Sequence, residues 1–354
     1  MIADKIDEYL MGDGQAVSDA LLDVAAAHVR RSLARNFGER SEHRARVPSP
    51  SSKSYCARRQ IYDALPMAEG RDGDRPRARI TFTLGDSVEA VGMLLARQAG
   101  IKFITPDESG AQLRLKMTID PKQWGIDEPP FDIAGNMDCT FHVDGNGETV
   151  ADWKSMSEYG FDDALAAAKS PAARWWKEQE DDYIAQVRWY MLLLRLSGRG
   201  EGKFGYLLPV NKSTGAVCEI RIPHDPDAET LLVRKAAYVW KHLRAIAGDK
   251  PLDAVDVTAA TAYIQSNVPR PAWFGTVLLA GNNERGDGTK GPVVQVDTAR
   301  DKDRHGRGPF VGFRCSYCPF ASACLGPEGY VLVPLGKPVW RRPATPEEMS
   351  RAGS

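Results

Sequence analysis

Two acids, a lysine and a helical polar pair follow one another in an order that suits metal-dependent chemistry. The segments that carry them are GNMD with Asp138, ADWKS with Asp152 and Lys154, and QVRWY with Gln186 and Tyr190. Carboxylate oxygens are the ligands that Mg2+ and Mn2+ prefer. A divalent ion neutralises the charge of a phosphodiester and acidifies bound water. The pattern therefore predicts metal-dependent cleavage of a phosphodiester.

Each of these side chains has a predicted role. The two aspartates are the predicted metal ligands, with Glu89 as a third. Lys154 is predicted to orient or help deprotonate the attacking water and to stabilise the transition state. Gln186 and Tyr190 share a helix face and would hold the substrate strand or the lysine. The alternative interpretation is a pair of surface carboxylates with a solvated counterion, beside polar positions on a core-facing helix.

Cysteines near both ends of the chain form a second signal. Three of them, Cys315, Cys318 and Cys324, have the spacing C-x2-C-x5-C within CSYCPFASAC, and Cys56 lies near the front. A centre with four thiolate ligands must recruit the last one from elsewhere, and Cys56 can supply it. The spacing leaves open an iron-sulfur cluster and a tetrahedral zinc site.

A hairpin must bring the two aspartates together. The runs IAGNMDCTFHV and ETVADWKS flank the turn DGNG, which predicts two antiparallel strands. If His142 pairs with Glu148, Asp138 and Asp152 lie opposite each other on one face, with β-carbons about 5 Å apart. Lys154 then points the same way. A register slip of one residue would destroy this arrangement.

Helices must flank that hairpin. Residues 16–37 have helical periodicity, a short helix presents Cys56 near its beginning, and a helix opening at Gly85 and Asp86 carries Glu89 one turn in. Residues 182–196 are predicted to form the helix of the polar pair, 204–222 a further hairpin and 228–247 another helix. VPSPSS, at 47–52, has the composition of a linker.

Bulk composition indicates an ordinary globular protein. With 354 residues, 43% of them hydrophobic, the chain can bury a large core as one main domain with an accessory lobe. Its acidic start lacks a long apolar run, so we expect no secretory signal or membrane anchor and a cytoplasmic protein. In that compartment, clustered cysteines indicate metal rather than disulfides. Cys139 and Cys218, which have no partner at ligand spacing, are predicted to be buried.

Basic residues are concentrated in two stretches, although the net charge is only -1. Residues 30–59 hold nine arginines and lysines against two glutamates, and a second basic stretch ends at Arg314. If Cys56 and Cys315 meet at one centre, both stretches meet there and form a face that can hold phosphates. Arg58, Arg59 and Arg314 are the predicted DNA contacts. The alternative is that each stretch is a solvated surface run.

Taken in order, these motifs resemble those of the PD-(D/E)xK nuclease superfamily, RecB-like branch. Its iron-sulfur members, the AddB-type nuclease domains and the CRISPR-associated exonucleases of the Cas-four type, are similar in having one cysteine upstream and a C-x2-C-x5-C triplet downstream. The resemblance spans residues 54–324. Two features depart from the pattern. Glu89 stands where related nucleases usually have histidine, and a long segment with Trp175 and Trp176 separates Lys154 from Gln186, either touching DNA or serving as a packing element.

The resemblance implies a fold and a domain organisation. We expect an α/β fold with a PD-(D/E)xK restriction-endonuclease-like core, in which a central mixed sheet is flanked by helices. An iron-sulfur lobe would be formed by N-terminal and C-terminal segments. The corresponding domains are an N-terminal helical segment at 1–47, the nuclease domain with its lobe at 48–330, and a C-terminal tail at 331–354.

The resemblance also implies an activity. We expect a DNA exonuclease of bacterial or phage origin that acts at single-stranded ends in recombination, repair or end processing. Its cofactors would be two Mg2+ or Mn2+ ions and a structural 4Fe-4S cluster on Cys56, Cys315, Cys318 and Cys324. The motif G-x4-GK[ST] is absent from the sequence, so unwinding, where needed, would come from a recombination or helicase partner. The alternatives are a non-catalytic DNA-binding or assembly module and a structure-selective endonuclease.

Overall fold

The chain has an α/β fold in which a mixed sheet is flanked by helices. The computed structural model describes residues 2–12, 16–37, 47–50, 56–66, 76–104, 113–180, 182–269, 277–284, 290–296, 318, 320–325, 331–333, 339–343 and 345–352. Two of the predicted site residues, Cys315 and Arg314, lie outside the described residues.

Two compact units make up the chain. Unit 1 comprises Met1–Ser41, Val47–Ser54 and Arg75–Ala237, and unit 2 comprises Glu42–Arg46, Tyr55–Asp74 and Tyr238–Ser354. The described helices are α1 (Ile2–Met11), α2 (Asp19–Phe37), α3 (Ala57–Ala64), α4 (Pro76–Gln98), α5 (Glu158–Lys169), α6 (Arg174–Gln179), α7 (Tyr183–Leu196), α8 (Pro226–Ala247), α9 (Val257–Asn267), α10 (Ala321–Leu325) and α11 (Pro346–Ala352). None of them combines the length and apolar character needed to cross a bilayer.

The described strands form three sheets. They are β1 (Phe103–Ile104), β2 (Leu113–Ile119), β3 (Phe131–Met137), β4 (Cys139–Val143), β5 (Gly147–Met156), β6 (Phe204–Asn211), β7 (Ile220–Pro223), β8 (Val277–Glu284), β9 (Lys290–Val296), β10 (Val331–Val333) and β11 (Val339–Pro343). Unit 1 holds the sheet β1-β4-β5-β6-β7 and the ribbon β2-β3, and unit 2 holds the sheet β10-β11-β9-β8.

The central hairpin has the predicted register. β4 and β5 are antiparallel, with His142 opposite Glu148. β5 then pairs with β6 in parallel, and β6 with β7 in an antiparallel manner, which makes the sheet mixed. The hairpin predicted within 204–222 is therefore confirmed as β6 and β7. β5 is therefore an interior strand of the sheet, and its successive side chains alternate between the two faces.

Helices α4 and α7 cover opposite faces of β5. A Cβ built on Gly92 of α4 would lie 2.7 Å from the Trp153 ring, and one built on Gly205 of β6 would lie 2.7 Å from both Val150 and Val187 of α7. Trp153 and Val150 are three residues apart, so they point to opposite faces. The two glycines are needed because the neighbouring side chains leave no space for a Cβ.

The amino-terminal part of unit 1 packs into its core. Ile2 and Ile6 of α1 are fully buried in the same apolar cluster as Trp153. In the predicted linker, Pro48 and Pro50 are buried, and Ala134 of β3 donates its N–H to the Pro48 carbonyl at 3.4 Å. The prediction of a linker is wrong for 47–50, because the prolines pack against β3 instead of lying in solvent.

The segment between Lys154 and Gln186 is helical and packed. It forms α5 and α6. Trp175 is buried and meets Trp176 edge to face, and Trp176 Nε1 donates to the carbonyls of Ala167 and Ser170 at 3.2 Å. These contacts favour the packing role over base stacking.

Unit 2 has its own apolar core. The rings of Tyr62 in α3 and Phe320 stack with centroids 5.5 Å apart. They are buried in one cluster with residues of α9 and the second half of α8, and Cys318 and Cys324 pack against it. Cys139 and Cys218 of unit 1 are buried, as predicted.

Candidate functional site

The bend between β3 and β4 positions Asp138. β4 begins at Cys139, which lies opposite Ala151, so extending the register by one residue places Asp138 opposite Asp152. Asp138 Oδ2 accepts a hydrogen bond from the Trp153 main-chain N–H at 3.0 Å. The hairpin therefore brings the two acids together, as the sequence predicted.

Asp152 is an acid in the protein interior. Its residue is 1% exposed, and Lys154 Nζ lies 2.6 Å from Oδ2. The two groups therefore form a buried ion pair. Burial raises the pKa of Asp152 to about 7, since the lowering effect of Lys154 is opposed by the charge of Asp138.

Lys154 is the cation of the cluster. Its side chain is 18% exposed, and Nζ donates to the Trp153 carbonyl at 3.2 Å. Burial by itself would lower the pKa of Lys154, but the charges of Asp152, Asp138 and Glu89 raise it well above its usual value. Lys154 is therefore an ammonium at neutral pH.

Glu89 approaches the acids from α4. Gly85, Glu89 and Gly92 share a face of that helix. The two glycines lie against Ser155 and Trp153 of β5, which brings the helix close to the strand. Burial raises the pKa of Glu89 well above its usual value, and the charges of Asp138 and Asp152 raise it further, against the opposing effect of Lys154. Glu89 is therefore close enough to Asp138, Asp152 and Lys154 for their charges to affect its pKa.

Helix α7 supplies a polar face. Gln186 Nε2 donates to Tyr190 Oη at 3.1 Å, and Tyr190 Oη donates to the Asn136 carbonyl at 2.7 Å, two residues before Asp138. Burial raises the pKa of Tyr190, and the charges of Asp152 and Asp138 act in the same direction. The polar pair therefore lies beside the acids and supports the strand that leads to Asp138.

Sequence reasoning missed Tyr183. It begins α7, three residues before Gln186 and seven before Tyr190, and so lies on the same face. Lys154 Nζ is 5.9 Å from the centroid of its ring, within the range of a cation–π contact. The signal that would have found it is the helical spacing of the polar pair, continued by one turn toward the amino terminus.

The carboxylate cluster fits a divalent ion by the chemistry of its donors. Both oxygens of Asp152 are buried, and a buried carboxylate is costly unless a cation or a hydrogen-bond donor pairs with it. Among the described residues, no three histidine, cysteine, aspartate or glutamate side chains are gathered closely enough to form a ready-made metal site. The nearest positive charge to Asp152 is the ammonium of Lys154.

Three of the four predicted thiol ligands, Cys56, Cys318 and Cys324, lie in unit 2, close enough for their charges to affect one another's pKa. Cys56 caps the amino terminus of α3, and its Sγ accepts from Arg59 N–H at 3.5 Å. Burial raises the pKa of Cys56, against that hydrogen bond, and the nearby Cys324 raises it further. Burial also raises the pKa of Cys318 to about 12, with added contributions from Cys56 and Cys324. The described cysteines form no disulfide.

Arg58 was predicted to contact DNA, but its side chain is buried. The residue is 5% exposed, and its guanidinium faces the interior of unit 2. Arg59 is partly exposed and lies 3.8 Å from Asp63. Arg58 therefore lies in the interior and Arg59 nearer the surface, because successive residues of a helix point about 100° apart.

Comparisons with known proteins do not identify a family for this chain. No family model matches the chain, and no curated protein matches it. One solved structure, "Crystal structure of SSO0001", is similar with a TM-score of 0.34 and 13% identity, over 64% of this chain and 97% of that chain. A likeness this weak carries no argument about fold or function.

Proposed function

We propose that this chain is a metal-dependent nuclease of the PD-(D/E)xK superfamily, RecB-like branch, that hydrolyses DNA from single-stranded ends. The observation that carries the proposal is the buried pair of acids with a lysine beside it: Asp152 and Lys154 lie on β5, and Asp138 lies in the bend before β4. Asp152 remains in the interior with its pKa raised to about 7, although Lys154 Nζ lies 2.6 Å from Oδ2. Ionisable groups held at such a cost are concentrated at functional sites.

The metal would be held by Asp138, Asp152 and Glu89. When bound, Mg2+ or Mn2+ supplies charge neutralisation and a more acidic water. Lys154 enters the reaction as an ammonium, so it donates to the attacking water or to a phosphate oxygen and does not remove a proton. Tyr190 and Gln186 keep the strand before Asp138 in place.

The proposal includes a structural 4Fe-4S cluster on Cys56, Cys318, Cys324 and Cys315. Its support is that three thiols in unit 2 affect one another's pKa, and that the N–H groups of Arg59 and Arg58 are directed at the sulfurs of Cys56 and Cys324. A zinc site would use the same four ligands. Either metal would stabilise unit 2 by closing the long loop between the first cysteine and the triplet.

Asp152→Asn tests the nuclease proposal. We expect the variant to fold and to lose metal-dependent hydrolysis of end-labelled single-stranded DNA by about 100-fold or more, because an electrostatic group at a reacting centre contributes on that scale. Asp132→Asn is the matched control, since it removes a carboxylate from an exposed ion pair with Lys116. The measurement is the digestion rate of linear and circular strands with Mg2+ or Mn2+.

The outcomes separate the alternatives. Full activity of Asp152→Asn contradicts the assignment of the site. Cutting of circular strands by the unaltered protein indicates an endonuclease. Binding of DNA without digestion of either substrate indicates a non-catalytic module.

A further inference from the structure

One guanidinium joins three segments of unit 2. Arg58 lies two residues after Cys56 and is 5% exposed. Its Nε donates to the Val268 carbonyl at 2.7 Å, Nη2 donates to the Gln265 carbonyl at 3.0 Å, and Nη1 donates to Cys324 Sγ at 3.5 Å. The side chain therefore connects α3 with the end of α9 and with Cys324.

The carboxyl end of α9 explains why a cation belongs there. The helix ends at Asn267 with Val268 as its cap, so the carbonyls of Gln265 and Val268 lie among those without a helical partner. These carbonyls carry partial negative charge. A thiolate at Cys324 would add a full negative charge beside them. A planar guanidinium satisfies all three acceptors at once, which a lysine cannot do with the same geometry.

A second hydrogen bond joins the end of α9 to the segment that carries Cys324. Gln265 Nε2 donates to the Ala323 carbonyl at 2.6 Å, next to Cys324. The end of α9 thus holds Cys324 from its main chain through Gln265 and from its sulfur through Arg58.

We propose that Arg58 is the positioning residue of the thiolate site, which fixes Cys324 on the carboxyl end of α9 and supplies the interior positive charge for the metal-bound sulfurs. The inference rests on the proposed metal centre and extends it to a residue outside the four ligands. It replaces the predicted DNA contact at this position with a role toward the metal.

Arg58→Lys tests the proposal, because it keeps the charge and loses the fork of donors. We expect anaerobically purified Arg58→Lys protein to fold and to release its metal to a chelator about tenfold faster, with a more negative reduction potential if the metal is iron. Iron is followed with bathophenanthroline disulfonate and zinc with pyridylazoresorcinol. Gln265→Ala removes the hydrogen bond to the Ala323 carbonyl and is expected to speed metal release by a smaller factor. This variant tests the proposal if Arg58→Lys does not fold.

Arg199→Lys is the matched control. Arg199 makes a two-pronged pair with Glu148 in unit 1, at 2.9 and 2.7 Å, so the same substitution breaks a comparable fork away from the thiols. The proposal is overturned if Arg58→Lys and Gln265→Ala release metal at the rate of the unaltered protein, or if that protein carries neither iron nor zinc. Failure of the nuclease proposal is read separately, from the digestion assay with Asp152→Asn.

Discussion

Asp138 accepts a hydrogen bond from the main-chain N–H of Trp153, at 3.0 Å. The pairing of β4 with β5 stops at Cys139 and Ala151, so the Asp138 carboxylate continues the hydrogen-bonded ladder beyond the end of the strand. Asp138 is thereby fixed to the main chain of Trp153, which lies between Asp152 and Lys154. The geometry of the three groups depends on the hairpin and not on flexible side chains alone.

Stability in the absence of divalent metal is expected to fall as the pH rises from about 4 to about 7. The pKa of Asp152 is raised to about 7 in the folded protein, against about 3.9 in an unfolded chain. The folded state therefore binds more protons than the unfolded state in this window, and stability decreases with pH. Glu89 contributes with the same sign. The check is the thermal midpoint in EDTA across the window.

Divalent metal should reverse that loss. Ionised carboxylates bind the ion, so Mg2+ or Mn2+ should raise the thermal midpoint more at about pH 7.5 than at about pH 5. At 100 times the dissociation constant the gain is about 2.7 kcal/mol. Asp152→Asn should flatten the pH slope, and an equally steep slope in that variant would show that this carboxyl is not its source.

Gly92→Ala should displace α4 from the sheet. The new Cβ would lie 2.7 Å from the buried ring of Trp153, and overpacking of this kind costs about 1–3 kcal/mol. Hydrolysis should fall as well, because α4 carries Glu89. Thermal melting and DNA digestion measure the two effects.

The control for that change is Gly160→Ala in α5. Its Cβ would lie no closer than 3.5 Å to Ser157 Oγ, and alanine in a helix is favoured over glycine by about 0.5–1 kcal/mol. Equal melting temperatures for the two alanine variants would mean that the contact with Trp153 does not constrain α4.

Tyr190→Phe should weaken both the fold and the reaction. The substitution removes the hydroxyl that accepts from Gln186 and donates to the Asn136 carbonyl. Leaving such groups unpaired costs about 1–3 kcal/mol, and we expect a drop in hydrolysis of about tenfold, which is about 1.4 kcal/mol in the barrier. Tyr159→Phe, at a position that is 84% exposed, should change neither. An unchanged rate at saturating DNA would limit Tyr190 to a structural role.

Cys56→Ser should abolish metal binding in unit 2. The cap of α3 would remain, since serine also caps helices, but a thiolate ligand would be lost. We expect loss of iron and of visible absorption in anaerobically purified protein. Cys218→Ala, between β6 and β7 in unit 1, should leave the iron content and the visible absorption unchanged. The Asp152→Asn protein should also keep its visible absorption. Iron retained at the wild-type level in Cys56→Ser would remove Cys56 from the ligand set.

The hairpin could be read from the sequence because its information is local. The turn DGNG and the alternation around it set the pairing of His142 with Glu148, and that pairing places Asp138 and Asp152. The polar pair on α7 was found in the same way, from spacing along one helix. Tyr183 was missed although its spacing was readable, and the packing of Pro48 and Pro50 was missed because composition cannot show which surface a proline meets.

The sequence by itself determined which residues are available for chemistry, because strand alternation, helical spacing and cysteine spacing are properties of neighbouring residues. Only the tertiary structure decided that Arg58 faces Cys324 and the end of α9, while Arg59 stays near the surface. It also decided that Asp152 lies buried beside Lys154 with its pKa raised. Burial and the direction of a side chain depend on segments far apart in the chain, which no local pattern contains.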